Sequence, residues 1–143
     1  MTRTDEKVRY APESQRLTYT LEGGALSTQN VFRVLEGRWK LIIIFQLFGG
    51  QVRRFSELER AIPGVSQKML IQQLRQLEVD GIVERIVHHQ VPPKVEYRLT
   101  DWGAALCPAV DTLLQWAEGA PEALRARLIS EAPDAGAARC AVP

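Results

Sequence analysis

The residues best suited to chemistry lie between Val65 and Gly81, where Lys68, Gln72, Arg75 and Gln76 recur at helical spacing. At roughly 100° per residue they point away from Leu70, Leu74 and Leu77, which fall at i, i+4 and i+7 and share a buried face. The outward set carries amide and cationic donors and no carboxylate. Such donors suit phosphate oxygens and the edges of nucleobases. Ser66 is placed to cap this helix, and Gly81 to end it in the left-handed conformation. Taken alone, the run reads more simply as a solvated surface helix, so its neighbours must decide.

No other cluster offers a reaction. His88 and His89 are adjacent in an extended stretch, so their rings point to opposite faces and do not easily share a metal. Asp101 and Asp111 make no convincing acid pair, and no glycine-rich phosphate loop is present. An enzyme, a metal site and a cofactor are therefore not expected. Cys107 and Cys140 stand far apart, outside any CxxC or Cys/His spacing. That is no disulfide framework, and it suits a reducing compartment.

The totals set the frame. A chain of 143 residues is long enough for one domain with a real core. Net charge is only +1, but it is unevenly spread. From Arg33 to Arg98 there are eleven Lys/Arg against seven Asp/Glu, and elsewhere seven against ten, so the middle is net +4 and the flanks net −3. An anionic partner belongs on the middle. The N-terminus is polar, and the longest apolar run, Leu41 to Phe45, is far too short to span a bilayer. A cytoplasmic protein without membrane partners is expected.

The elements around Val65–Gly81 supply the missing context. Residues 1–24 read as an N-terminal arm, flexible to about Ser14, with hints of extended structure at Val8, Tyr10, Leu17, Tyr19 and Leu21, and with Gly23-Gly24 as its end. A first helix is expected from about Thr28 to Leu35. A second, Trp39 to Phe48, is apolar nearly all round and so is expected to be the central core helix. Arg53-Arg54-Phe55 suits a brief strand. Ser56-Glu57-Leu58-Glu59 has the form of a capping box, and the helix it starts ends at Ile62, before Pro63-Gly64. Two helices with so short a glycine-bearing link form a helix-turn-helix.

Residues 82–89 and 94–100 then alternate as strands around Gln90-Val91-Pro92-Pro93, with Val95, Tyr97 and Leu99 on one face. A helix-turn-helix followed directly by a hairpin is a winged helix, which is mainly α with a small β-hairpin. Thr100 can cap a last long helix, about Asp101 to Glu118, that Pro108 must kink or break. Its stripe of Leu106, Val110, Leu113 and Leu114, with Trp116 near the end, exceeds what one small domain needs. With the first helix it suits an isologous dimer seam. A further helix is expected from Glu122 to Ile129 and a disordered tail from Ser130. The domain plan is thus an arm at 1–24, a winged helix-turn-helix domain at 25–118, and a short helix and tail at 119–143.

This order of blocks resembles the HxlR family of bacterial winged-helix regulators, relatives of the MarR regulators. The blocks are Leu35-Glu36-Gly37-Arg38-Trp39-Lys40-Leu41, Arg53-Arg54-Phe55-Ser56-Glu57-Leu58, Ile62-Pro63-Gly64-Val65-Ser66-Gln67-Lys68-Met69-Leu70, Leu74-Arg75-Gln76-Leu77-Glu78-Val79-Asp80-Gly81-Ile82-Val83, Val91-Pro92-Pro93-Lys94-Val95-Glu96-Tyr97-Arg98-Leu99-Thr100 and Trp102-Gly103. The resemblance implies a homodimeric transcription factor on double-stranded DNA, reading it through the helix from Ser66 and the wing. Two departures stand out. Many members carry a Cys-Pro pair ahead of the first helix, and some sense oxidants with it; here that place falls near Leu26, with Ser27 following, so no thiolate switch operates there. Position 71, often Thr or Ser in the family, is Ile71, which can touch a thymine methyl or be partly buried.

Base contacts are expected from Gln67, Lys68, Ile71 and Gln72, and phosphate contacts from Arg53, Arg54, Arg75 and Lys94, with His89 beside the wing tip. Ser66 both caps its helix and can donate to phosphate. Cys107 is expected to be inert packing on an apolar helical face. Two other uses of the same fold stay open: a protein-interaction module with no operator, and a regulator that senses a small molecule in an apolar pocket between residues 39–48 and 106–116, near the dimer seam.

Overall fold

The computed structural model describes residues 8–10 and 17–129. Most of the expected flexible arm at 1–14, the expected disordered tail from Ser130, and Cys140 lie outside the described residues. The chain divides into two compact units after Gly37.

In the first unit, strands β1 (Val8–Tyr10) and β2 (Leu17–Tyr19) pair antiparallel, with Val8 opposite Tyr19. Helix α1 follows at once and spans Leu21–Leu35. It begins a full two turns before the expected Thr28. The Thr20 hydroxyl caps it by accepting from the Gly23 amide at 3.0 Å. A β-carbon on Gly23 would lie 2.8 Å from that hydroxyl, so the glycine pair that looked like a terminator instead leaves room for the cap. Thr28 sits inside the helix and donates to the Gly24 carbonyl at 2.8 Å.

The second unit begins with α2 (Lys40–Gln46), followed by β3 (Arg53–Arg54), α3 (Phe55–Ala61) and α4 (Gln67–Val79). Ile43, Ile44, Leu47 and Phe48 are buried against Leu58, Ile62, Leu70, Leu74 and Leu77. Only this face of α2 is core. Leu41, Ile42 and Phe45 on the opposite face are exposed, so the helix is not surrounded as its composition suggested. The capping box also shifts. Strand pairing runs through Arg54, so α3 starts directly after it. The Glu57 carboxylate then accepts from the Arg54 amide at 3.0 Å, and Ser56 falls within the helix. Gly64 closes the turn between α3 and α4 with φ +85°.

Strands β4 (Val83–His88) and β5 (Lys94–Leu99) form the wing, and β3 pairs with the other edge of β5. The register places Arg53 and Arg85 on either side of Tyr97, and Arg54 and Ile86 on either side of Glu96. Pro108 does divide the last long helix. A short α5 (Asp101–Ala104) precedes α6 (Leu106–Glu118), and α7 (Glu122–Leu128) follows. Thr100 holds the junction of wing and α5. Its hydroxyl accepts from the Gly103 amide at 3.0 Å and donates to the Gly81 carbonyl at 2.6 Å. The result is a mainly helical winged helix with a three-stranded antiparallel sheet.

Candidate nucleic-acid interface

Helix α4 is positioned from both ends. Ser66 accepts from the Met69 amide at 3.1 Å, satisfying one of the free N–H groups of the first turn. At the other end Gly81 adopts φ +77°, and the Ile82 amide donates back to the Leu77 carbonyl at 2.9 Å, the reversal expected of a glycine C-cap. Between the caps, Leu70, Leu74 and Leu77 are fully buried and fix the rotation of the helix. Their burial turns Gln67, Lys68, Ile71, Gln72, Arg75 and Gln76 into one continuous exposed surface. No carboxylate lies between Gln67 and Leu77. Gln76 is drawn to one side by Asp80, to which its amide donates at 3.2 Å. Ile71 is 39% exposed, so of its two expected placements it takes the accessible one.

A cleft separates this helix from the wing. Phe55, Gln67, Ile71, Arg75, Glu78, Arg85, Val95 and Tyr97 line it. Arg85 is the residue that sequence reasoning missed. The period-two pattern contained the signal: Val83, Arg85 and Val87 face the same way as Val95, Tyr97 and Leu99, toward α4 rather than away from it. Arg75 and Arg85 thus bring two guanidinium groups, which carry fixed charge and forked donors, to one cleft.

The other expected basic contacts divide into exposed and occupied groups. Arg54 is exposed. Arg53 is half-buried, and its Nε donates to the Gln46 carbonyl at 2.9 Å, so it ties β3 to the end of α2. On the wing, Lys94 Nζ lies 3.6 Å from the Glu96 carboxylate, and His88 Nε2 lies 2.5 Å from the same oxygen. Burial pushes the Glu96 carboxyl up, but the His88 hydrogen bond and the charges of Lys94 and His88 outweigh it and hold it below its ordinary value. His89 is exposed at the tip. Glu84 accepts from Arg98 Nε at 2.9 Å lower on the wing.

The apolar residues expected at a dimer seam are open to solvent in part. Leu113, Leu114 and Trp116 are 48%, 40% and 75% exposed, whereas Leu106 and Val110 are half-buried. Cys107 corrects the expectation of inert packing. It is buried, as its apolar surroundings suggested, but it is disulfide-bonded. Spacing gave no sign of this, because no CxxC or Cys/His pattern surrounds Cys107.

A capped helix presented beside a β-hairpin, on a helix-turn-helix, defines the winged helix-turn-helix class. Within it, this chain belongs to the HxlR family: the HxlR-like helix-turn-helix model matches residues 34–124. A similar relative is YtcD of Bacillus subtilis, described as an uncharacterized HTH-type transcriptional regulator. It is 47% identical over 91 residues, which is 64% of this chain and 71% of the relative. Among solved structures, a chain described as a MarR-family regulator from Porphyromonas gingivalis superposes with TM-score 0.58 at 36% identity, covering 66% of this chain and 91% of that one. The redox regulator HypR in its reduced form superposes with TM-score 0.61 at 43% identity, covering 68% and 96%. The family is one of transcriptional regulators rather than enzymes. No helix among the described residues is long and apolar enough to cross a membrane.

Proposed function

We propose that this protein is a homodimeric, sequence-specific regulator of transcription that places α4 in the major groove of double-stranded DNA and its wing on the backbone or in the minor groove. The observation that carries the reading is the outer face of α4: amide and cationic side chains, and no carboxylate through Leu77. Near the N-terminus of α4 Gln67, Lys68, Ile71 and Gln72 read base edges, because winged-helix recognition helices enter the groove by their N-terminal half. Arg75, Arg54 and Arg85 hold phosphates on either side. Arg53, whose Nε is held by the Gln46 carbonyl, and Lys94, beside Glu96, brace the sheet and offer their remaining donors to phosphate. Two copies are needed because one short helix reads too few bases to find an operator.

The test compares two variants on cognate and on random DNA over a range of salt. Gln72→Ala should cost about 1–3 kcal/mol on the cognate site and little on random DNA. Arg54→Ala should weaken both together and lower the slope of log affinity against log salt by about one. Equal losses on both DNAs for Gln72→Ala defeat the base-reading assignment. Absence of any binding at low salt defeats the DNA reading as a whole.

A further inference from the structure

Arg38 stands just before α2, and its guanidinium lies over the ring of Trp39, 4.6 Å from the ring centroid. Arg38 is exposed and Trp39 half-buried. The far edge of the same indole reaches the turn between α3 and α4. A β-carbon on Gly64 would sit 3.9 Å from Trp39 Cη2, which is ordinary contact. Trp39 is thus a spacer, with Arg38 on its face and the linking turn at its edge. Just beyond Gly64, Ser66 caps α4, and Gln67 and Lys68 stand exposed in its first turn. Arg38 is therefore held a ring's breadth from the turn that leads into α4. We propose that Arg38 contacts a backbone phosphate of double-stranded DNA and that Trp39 holds it in place for that contact, a proposal that rests on the DNA reading of α4.

The state of the side chain separates it from an ordinary solvated charge. Its donors are open: among the described residues, no hydrogen bond or ion pair engages the Arg38 guanidinium. Stacking occupies the face of the guanidinium, whereas the N–H donors lie in its plane and still point outward. Two parallel N–H groups of that fork match a pair of phosphate oxygens. The stack also restrains a long side chain in advance, so less rotamer freedom is lost when phosphate arrives.

Position decides which phosphate is met. In a helix-turn-helix, the structure ahead of the recognition helix crosses the backbone at the edge of the groove that this helix enters. Trp39 and Gly64 lie outside the cleft that brings Arg75 and Arg85 together, so Arg38 meets the backbone at a separate point. Contacts at both points hold the N-terminal half of α4 at one depth in the groove. Arg38 carries no sequence information of its own and acts by positioning the residues that do.

The experiment measures binding of the full chain to a labelled random-sequence duplex by fluorescence anisotropy over a range of salt. Arg38→Ala should weaken binding by about tenfold at low salt and lower the slope of log affinity against log salt by about one. Arg38→Lys should keep the slope, because the charge remains. It should still lose affinity severalfold, because a point charge neither stacks as a plane nor forks onto phosphate. Arg127→Ala removes the same charge from the exposed last turn of α7 and should change neither quantity. If the unaltered chain binds and Arg38→Ala keeps its slope, the contact is overturned and the reading of α4 stands. An unaltered chain that binds no DNA at low salt overturns both. Equal losses in Arg38→Ala and Arg127→Ala assign the effect to net charge and overturn the contact. An Arg38→Lys protein that binds like the parent overturns the part given to Trp39.

Discussion

Gly103 has no room for a side chain. A β-carbon there would overlap the carbonyl oxygen of Ile82 and lie 3.2 Å from its Cγ2. The close approach is what lets Thr100 cap α5 while bonding back to Gly81, so one residue sets the distance between α5 and the end of α4. Relief requires backbone to move, because the obstacle is a carbonyl rather than a flexible side-chain tip. Gly103→Ala should therefore destabilise the protein by about 2 kcal/mol, the range for overpacking a well-filled site. A urea titration checks this: the midpoint should fall with an unchanged slope. A midpoint equal to that of the unaltered chain would mean that α5 slides freely. Gly103 was visible in the sequence only as part of the Trp102-Gly103 block. Its reason, a contact with a residue twenty-one positions earlier, is tertiary and leaves no local pattern.

Among the elements, those with a local cause were the ones legible in the sequence. Ser66 and Gly81 bound α4 as their types demand, and period-two alternation placed Val95, Tyr97 and Leu99 on one face of the wing. The misreadings came where two local signals competed. Gly23-Gly24 reads as a stop unless Thr20 is seen as a cap, and Ser56 reads as a cap unless the strand through Arg54 is seen to end there. At the candidate interface, the outward set on α4 followed from helical geometry, but the pairing of Arg75 with Arg85 required the sheet to be placed against the helix. The wing also carries a pH dependence. Burial opposes ionisation of Glu96, yet His88 and Lys94 overcome it and lower its carboxyl. A lowered carboxyl adds stability that is complete above the ordinary carboxylate value of 4.5 and is lost as pH falls through the lower folded value. Amide exchange at Ile86 and Glu96, a hydrogen-bonded pair of the β4–β5 ladder, should therefore stay protected from neutral pH down to that range and rise below it. In Glu96→Gln the wing amides should lose this acid-side step. If the step persists in that variant, another carboxylate, such as Glu84 with Arg98, is responsible.

For the whole molecule, the apolar surface is the unresolved tension in a single copy. Leu41, Ile42 and Phe45 on α2, Leu113, Leu114 and Trp116 on α6, and Leu124 and Leu128 on α7 are all exposed. Apolar surface costs about 25 cal/mol per Å² in water, and monomers rarely leave large side chains so concentrated on it. In the proposed dimer a second copy would relieve this cost and would set two α4 helices apart at a fixed distance, which is what a palindromic site requires. Leu113→Asp and Trp116→Asp place a charge in the proposed seam without touching the buried Ile43–Leu77 core. Each should convert the protein to a monomer by sedimentation velocity, with little change in far-ultraviolet circular dichroism. Affinity for a full palindrome should then fall by about 100-fold or more, because the second half-site is no longer reached at high local concentration. Affinity for an isolated half-site should hardly change. An unaltered chain that sediments as a monomer at tens of micromolar, or a Trp116→Asp protein that still binds the palindrome like the parent, would remove α6 from the seam and leave the exposed face of α2 as the surface to test next.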